Sequence, residues 1–103
     1  MGEGKNMKIT TKSGFKFELD ERIIDDWRVV KAMGRADNTE NPEEMLAGSI
    51  ELIALIFGKD EDRLVEHIRK KNDGYAPMDA LKDELLSTFE RVKALKNSQS
   101  SRA

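Results

Sequence analysis

The side chains that could do chemistry are few, and their spacing argues against a catalytic centre. His67 is the single imidazole among 103 residues, and the chain has no Cys. A thiol nucleophile, a disulfide framework and a Cys-based zinc site are therefore excluded. A catalytic His needs a nucleophile or an orienting carboxylate beside it, and no recognisable serine motif accompanies His67. We interpret His67 as a histidine on the flank of a helix.

Two pairs of adjacent acids, Asp25-Asp26 and Glu43-Glu44, suggest a hydrolase or a metal site as an alternative. Neighbouring residues on a helix point about 100° apart, so neither pair converges on one substrate. Both pairs lie near predicted helix N-termini, where the helix dipole favours negative charge. The dipole therefore explains these acids better than catalysis does.

Two segments partly resemble a calcium-binding loop and a phosphate-binding loop, but neither has the residue spacing that such a site needs. The acidic segment 37–44 would place Pro42 and Gly48 where an EF-hand needs a glycine and a bidentate acid. The sequence GKD at 58–60 has no glycine five residues earlier and ends in an acid where a phosphate loop needs Ser or Thr. We therefore expect no metal and no cofactor.

The composition of the chain argues against two classes of partner, nucleic acids and membranes. Apolar residues make up 38% and charged residues 37%, and 18 basic against 20 acidic residues give a net charge of −2. Nucleic-acid binding usually needs a basic surplus, so we expect no nucleic-acid partner. The longest apolar stretch, residues 45–57, is shorter than the roughly 20 residues of a membrane span, so we expect no membrane.

The segment 7–19 alternates between apolar and polar residues, which predicts two strands joined by a tight turn. A three-residue loop ending at Gly14 gives one apolar face, whereas a two-residue loop would place Ile9 on the polar face. The predicted pairs are Met7 with Leu19, Ile9 with Phe17 and Thr11 with Phe15.

A first helix is predicted after this hairpin, with Asp20 as its N-cap and Gly34 near its end. The spacing places Trp27 on the apolar face, which favours a core position. An exposed anchor for a partner is the alternative, because aromatic residues dominate many interfaces. The residues of this predicted face are Ile23, Trp27, Val30 and Met33.

A second helix has strong signals at both ends. Asn41 can cap it, Pro42 suits the first helical position, and Glu44 follows three residues after the cap. Phe57 ends the helix, and Gly58 stands where a left-handed residue belongs.

The second half of this helix is apolar around almost its whole circumference, which is typical of a helix buried on most sides. Either the hairpin and the other helices surround it, or part of it stays available to a partner or a second subunit. The polar third helix favours the second alternative. The candidate protein-binding or self-association surface is Trp27, Ile50, Ile53, Leu55, Ile56 and Phe57.

A third helix over 60–71, a turn at 72–74 and a fourth helix opened by Pro77 complete the pattern. The fold class is therefore α+β and mainly α, a β-hairpin followed by four helices. We expect a single domain over 7–96, a disordered leader at 1–6 and a disordered polar tail at 97–103.

In this order of elements the chain resembles the tail assembly chaperones of long-tailed bacteriophages and prophages. The resemblance covers about residues 7–98. It is carried by KITTKSGFKFELD at 8–20, DDW at 25–27, IFG at 56–58, the short charged helix with Leu64, DG at 73–74 and LKNS at 95–98.

This resemblance implies a protein without enzymatic activity that binds the long, aggregation-prone tape measure protein and helps recruit the tail tube protein. It implies a place in the cytoplasm of the bacterial host and absence from the mature virion. Genes of the family often also yield a longer frameshifted product that shares the N-terminal part. From the apolar second helix we also expect a homo-oligomer.

Two other classes are compatible with the size and polarity of the chain. One is a structural phage component such as a head–tail connector or a tail completion protein. The other is a small transcriptional regulator, whose reading helix should carry basic and amide residues. The candidate reading helix here is basic only at its end, RKK at 69–71.

Overall fold

Two strands and four α-helices follow one another along the described chain, with a 3-10 segment before the first helix and another before the third. The computed structural model describes residues 6–100, with side chains through Asn97. The elements are β1 (Asn6–Thr10), β2 (Lys16–Asp20), a 3-10 segment (Glu21–Asp25), α1 (Trp27–Ala36), α2 (Pro42–Phe57), a 3-10 segment (Gly58–Asp60), α3 (Glu61–Lys71) and α4 (Met78–Ser100). The predicted fold class, a hairpin followed by helices in a mainly α protein, is confirmed.

The strands β1 and β2 form an antiparallel hairpin in the predicted register. Met7 pairs with Leu19, and Ile9 pairs with Phe17. Gly14 closes the loop with a φ of 95°, a left-handed conformation that glycine adopts without strain. Because side chains alternate between the two faces, this register directs the apolar side chains of both strands towards the helices.

The segment after β2 differs from the single helix that was predicted. Asp20 is a cap, as predicted, and accepts a hydrogen bond from the Arg22 N–H at 2.9 Å, but it starts a 3-10 segment. A second cap follows at Asp26, whose carboxylate accepts a hydrogen bond from the Arg28 N–H at 2.8 Å and begins α1. Ile23 therefore belongs to the 3-10 segment and not to α1.

The buried face of α1 is not the predicted one. Val29 and Ala32 are fully buried, whereas Trp27 is 69% exposed and Val30 is 45% exposed. Trp27 lies two residues before Val29, about 200° away around the helix, so it points away from the core. The prediction that Trp27 is a core residue is wrong. The counted spacing started from Ile23, which the extended backbone at Asp26 separates from α1, and the other face of α1 packs on the core.

The helix α1 ends at Ala36, close to Gly34 as predicted, and its last turn packs against α2 at Gly48. A Cβ atom placed on Gly48 would overlap the backbone nitrogen of Ala36 and lie 2.8 Å from the carbonyl oxygen of Ala32. Glycine at this position therefore lets the two helix backbones approach more closely than any side chain would permit.

The two ends of α2 lie where the sequence predicts them. Asn41 accepts a hydrogen bond from the Glu44 N–H at 3.2 Å, and Pro42 occupies the first helical position. Gly58 follows Phe57 with a φ of 49°. The predicted start of the third helix at Asp60 shifts by one residue, since a 3-10 segment comes first.

The core lies between the hairpin, α2 and the inner sides of the other helices. Three phenylalanines meet there: the ring of Phe57 is 4.9 Å from that of Phe17 and 6.3 Å from that of Phe15, measured between centroids. The buried apolar residues are Ile9, Phe15, Phe17, Leu19, Val29, Ala32, Leu52, Ile53, Ile56, Phe57, Leu64, Ile68, Leu85 and Val92.

The helix α4 extends further than predicted. Its backbone is helical through Ser100, so 97–100 continue the helix where a disordered tail was expected. At the other end, Asn6 of the predicted leader is the first residue of β1. The remaining parts of the predicted leader and tail, 1–5 and 101–103, lie outside the described residues.

Candidate protein-binding site

Half of the predicted binding surface lies in the core. Ile53, Ile56 and Phe57 are each 3% exposed or less, so their side chains are not available to a partner in this structure. Phe57 is held by the aromatic rings of the hairpin, which cover the end of α2. The expectation that these three residues offer a surface is therefore corrected: the hairpin and the neighbouring helices surround them.

The other predicted surface residues are accessible to different degrees. Trp27 is 69% exposed, Ile50 is 54% exposed, and Leu55 is half-buried against the core. Trp27 lies at the first residue of α1, and Ile50 lies in the middle of α2. Trp27 and Ile50 therefore lie on different helices. Neither of them lines the apolar groove that is present between three of the helices.

That groove lies between α1, α2 and α4 and encloses about 230 Å³. Leu52 and Leu85 are buried in it, whereas Met33 and Leu86 are 36% and 58% exposed. The apolar groove is lined by Met33, Ala36, Asp37, Ser49, Leu52, Lys82, Leu85, Leu86 and Phe89.

The polar residues of the apolar groove do not interrupt its apolar floor. The Ser49 hydroxyl donates a hydrogen bond to the Met45 carbonyl oxygen at 2.9 Å, so its polar atom is already occupied. Asp37 is exposed and Lys82 is half-buried, and they bring one charge of each sign to the lining. An apolar centre with a polar margin is the usual anatomy of a protein-binding surface.

The position of α4 beside the apolar groove is fixed by the hairpin loop. The Thr11 hydroxyl donates a hydrogen bond to the Glu84 carboxylate at 2.5 Å and accepts one from the Phe15 N–H at 3.1 Å. The Lys12 N–H donates to the Ser87 hydroxyl at 2.8 Å. Glu84 is only 3% exposed, so this hydrogen bond partners a buried carboxylate, which is costly to leave unpaired.

The sequence contained part of the signal for the apolar groove. Leu86 widens the apolar stripe of the fourth helix, and it lies about 100° around the helix from its buried neighbour Leu85. A stripe wider than the core can cover leaves its margin exposed. No such signal in the sequence indicates that Met33 lines the apolar groove, because its place there depends on where α1 lies relative to α4.

His67 lies half-buried on α3 and contacts the hairpin loop. Its Nε2 atom is 3.0 Å from the Ser13 hydroxyl oxygen, and its ring centroid is 5.4 Å from that of Phe15. Within the described part of the chain, no carboxylate is hydrogen-bonded to this imidazole. The contact therefore joins α3 to the hairpin, and it lacks the orienting acid of a catalytic triad.

Two arginine–aspartate ion pairs lie just before α1 and at its start. Hydrogen bonds from Arg22 lower the pKa of Asp20 from its ordinary value to about 2. Hydrogen bonds from Arg28 likewise lower the pKa of Asp26. Of the adjacent acids Asp25 and Asp26, the second is thus engaged as a helix cap with an arginine partner.

A further arginine joins α1 to α2. Arg35 contacts Glu44 at 3.0 Å and Glu51 at 2.9 Å, and the hydrogen bond with Glu44 is the main cause that raises the pKa of Arg35. Glu44 belongs to the second pair of adjacent acids, and it lies in the first turn of α2, as the dipole argument predicts.

No family model, no curated protein and no solved structure matches this chain. Among the described residues, no helix is both long and apolar enough to cross a membrane. Over the same residues, no three His, Asp or Glu side chains are grouped so that they could hold a metal ion.

Proposed function

We propose that this protein is a tail assembly chaperone of long-tailed bacteriophages. It has no enzymatic activity, binds the tape measure protein and helps recruit the tail tube protein. It acts in the cytoplasm of the bacterial host and is absent from the mature virion. The client-binding site in this proposal is the apolar groove between α1, α2 and α4.

The observation that carries the proposal is the partial exposure of large apolar side chains in the lining of this groove. Met33 and Leu86 remain 36% and 58% exposed although buried apolar side chains lie directly beside them. Large apolar side chains around a concave surface are typical of sites that take the apolar face of an amphipathic helix. A tape measure protein, as a long and largely helical client with apolar faces, is a partner of that kind.

The chemistry of the lining suits a client that presents varied side chains. Met33 is unbranched and flexible, so it can adapt to different apolar shapes. Promiscuous binders commonly use such side chains. Asp37 and Lys82 bring one negative and one positive charge, and neither sign excludes a client with a charged outer face.

The sequence segments that carry the resemblance also support the proposal by where they lie. The segment 8–20 forms the hairpin, whose loop holds α4 through Thr11 and Glu84. The segment 56–58 ends α2. Of the segments that carry the resemblance, 8–20 thus helps to position α4, which is one wall of the apolar groove.

The test is co-expression with the tape measure protein encoded in the same gene cluster, followed by gel filtration. The expected result is a raised soluble fraction of the client and a complex that elutes as one species. The double variant Met33→Ser, Leu86→Ser should lose the complex. The matched control is Leu46→Ser, since Leu46 is 50% exposed on α2 but does not line the apolar groove.

Two outcomes would overturn the proposal. One is an unchanged solubility of the client with no complex on gel filtration. The other is detection of the protein by mass spectrometry in purified virions, which would favour a structural phage component such as a connector. If the double variant and the Leu46→Ser control lose the complex equally, the chaperone survives but the apolar groove is not its site.

A further inference from the structure

The backbone groups along one edge of the hairpin point away from its partner strand. The Thr11 N–H donates to the Phe15 carbonyl oxygen at 2.9 Å, so this pair is hydrogen-bonded. Hydrogen-bonded pairs recur at every second residue of an antiparallel ladder, which makes the pair containing Phe17 bonded as well. The N–H and C=O groups of Lys16 and Glu18 therefore point away from β1, along the outer edge of β2.

This edge lies open on the side of α3. The helix α4 packs against β1, whereas the contact of α2 with β2 is on the buried face of the strand, where the rings of Phe17 and Phe57 lie 4.9 Å apart. An open groove of about 560 Å³ separates the start of β2 from α3. A hydrogen bond reaches the edge from α3, from the Arg63 guanidinium to the Lys16 carbonyl oxygen at 3.3 Å, and pairing with another strand would exchange it for a backbone hydrogen bond. An unpaired strand edge is a template for another strand.

The charges along β2 select a second copy of the same strand as the occupant. Lys16 and Glu18 are both exposed and share the outer face of the strand. In a two-fold antiparallel pairing centred on Phe17, each Lys16 lies opposite Glu18 of the second copy. Opposite charges placed directly across two strands stabilise the pairing, and like charges destabilise it.

The other self-pairings are less favourable. A pairing of β2 centred on Glu18 would place two glutamates opposite each other, and its other charge pairs would set Lys16 against Asp20, which Arg22 already engages. A pairing of β1 centred on Lys8 would do the same with two lysines. Centred on Ile9, that pairing would set Lys8 against Thr10, without an ion pair. Of these pairings, the register centred on Phe17 is the one that has pairs of opposite charge and no like-charged pair.

We propose that two copies of this protein associate through β2, in antiparallel register about Phe17, with Lys16 of each copy against Glu18 of the other. The two hairpins then form one four-stranded sheet, which is a more stable unit than an isolated two-stranded ribbon. The interface is isologous and closes at two copies. It shares no residue with the apolar groove, so it does not depend on the proposed chaperone function.

The test is sedimentation of the full chain over a concentration series, with charge-swapped variants. The wild type should dimerise with rising concentration. Lys16→Glu and Glu18→Lys should each weaken the dimer by about tenfold or more, because either change sets two like-charged pairs across the interface. An equimolar mixture of the two single variants should restore the dimer, and so should the double swap.

Amide hydrogen exchange on the wild type gives a readout that requires no variant to fold. The amides of Lys16 and Glu18 should become protected as the concentration rises. Those of Lys8 and Thr10, which point outward from β1 in the same way, are the matched control and should not change. A chain that stays monomeric, or a dimer that is indifferent to both charge swaps, would overturn the proposal.

Discussion

The helix pair α1–α2 is closed on one side and open on the other. On the closed side, Gly48 brings the two backbones together, and Arg35 bridges from α1 to acids of α2. On the open side, towards α4, Met33 and Leu86 stay 36% and 58% exposed around a cavity of about 230 Å³. The same pair of helices thus carries a tight contact and an unfilled one.

The difference follows from the size of the side chains at each place. A residue without a side chain lets two backbones lock together, which leaves little freedom for α1 to move against α2. Because the closed side fixes this pair, the open side keeps its shape without an occupant. A preformed site loses less conformational entropy on binding than one that must be assembled.

Gly48→Ala should disrupt the close contact between the backbones of α1 and α2 on the closed side. Overpacking of this kind typically costs about 1–3 kcal/mol, and the better helix propensity of alanine offsets part of the cost. We expect a net loss of about 2 kcal/mol in the free energy of unfolding. Urea denaturation followed by circular dichroism measures it.

Gly34→Ala is the matched control for that substitution. Gly34 lies in α1, and a Cβ atom there would meet no heavy atom within 4 Å. The control should therefore stabilise the protein by up to about 1 kcal/mol through helix propensity alone. If the two substitutions changed the stability alike, the close approach at Gly48 would not matter.

Thr11→Val should loosen the attachment of α4, the helix across the apolar groove from α1 and α2. The substitution keeps the shape of the side chain but removes the donor to the buried Glu84 carboxylate and the acceptor of the Phe15 N–H. We expect a loss of about 1.5 kcal/mol, measured by urea denaturation. Thr10→Val, at the neighbouring exposed position, should change the stability by less than about 0.5 kcal/mol. Equal losses would show that the Thr11–Glu84 hydrogen bond does not hold α4.

Leu86→Ser tests whether the apolar groove is open in solution. A side chain that is 58% exposed contributes little to the core, so the free energy of unfolding should change by less than about 0.5 kcal/mol. Thermal denaturation of the purified variant is sufficient for this measurement. A loss of 2 kcal/mol or more, about the value for a buried leucine, would mean that the apolar groove is closed in solution.

The smallest effect concerns Asp20, which lies outside both sides of the helix pair. Its folded pKa of about 2 is below the ordinary value, so the folded state favours the carboxylate. The associated stability is present above about pH 4 and is lost as the pH falls towards 2. An NMR titration should find the Asp20 midpoint near 2, and Arg22→Gln should move it upwards. An unchanged midpoint in that variant would contradict Arg22 as the cause.

Local signals were sufficient to predict the hairpin and the ends of α2. The register of Ile9 against Phe17 followed from burial of one face, and the caps at Asn41 and Gly58 followed from the chemistry of single residues. These features depend on neighbours within a few positions along the chain. The break at Asp26 was missed because a short extended cap between two helical segments barely disturbs the apolar spacing.

Features that depend on distant neighbours could not be predicted in this way. The apolar groove needs Met33 of α1 and Leu86 of α4 to meet across the molecule. The burial of Ile53 and Phe57 likewise depends on how closely the hairpin covers α2. A sequence shows how apolar a helix is, but it does not show which part of its surface the rest of the chain leaves free.

The most direct test of the open side is the affinity of two single variants for the tape measure protein, compared with the wild type by titration calorimetry. Leu86 and Ile50 are similarly exposed, at 58% and 54%, but of the two only Leu86 lines the apolar groove. We predict that Leu86→Ser weakens binding by about tenfold or more, while Ile50→Ser stays within about twofold of the wild type. Equal losses in both variants, or a loss in Ile50→Ser alone, would contradict the assignment of the client to the apolar groove.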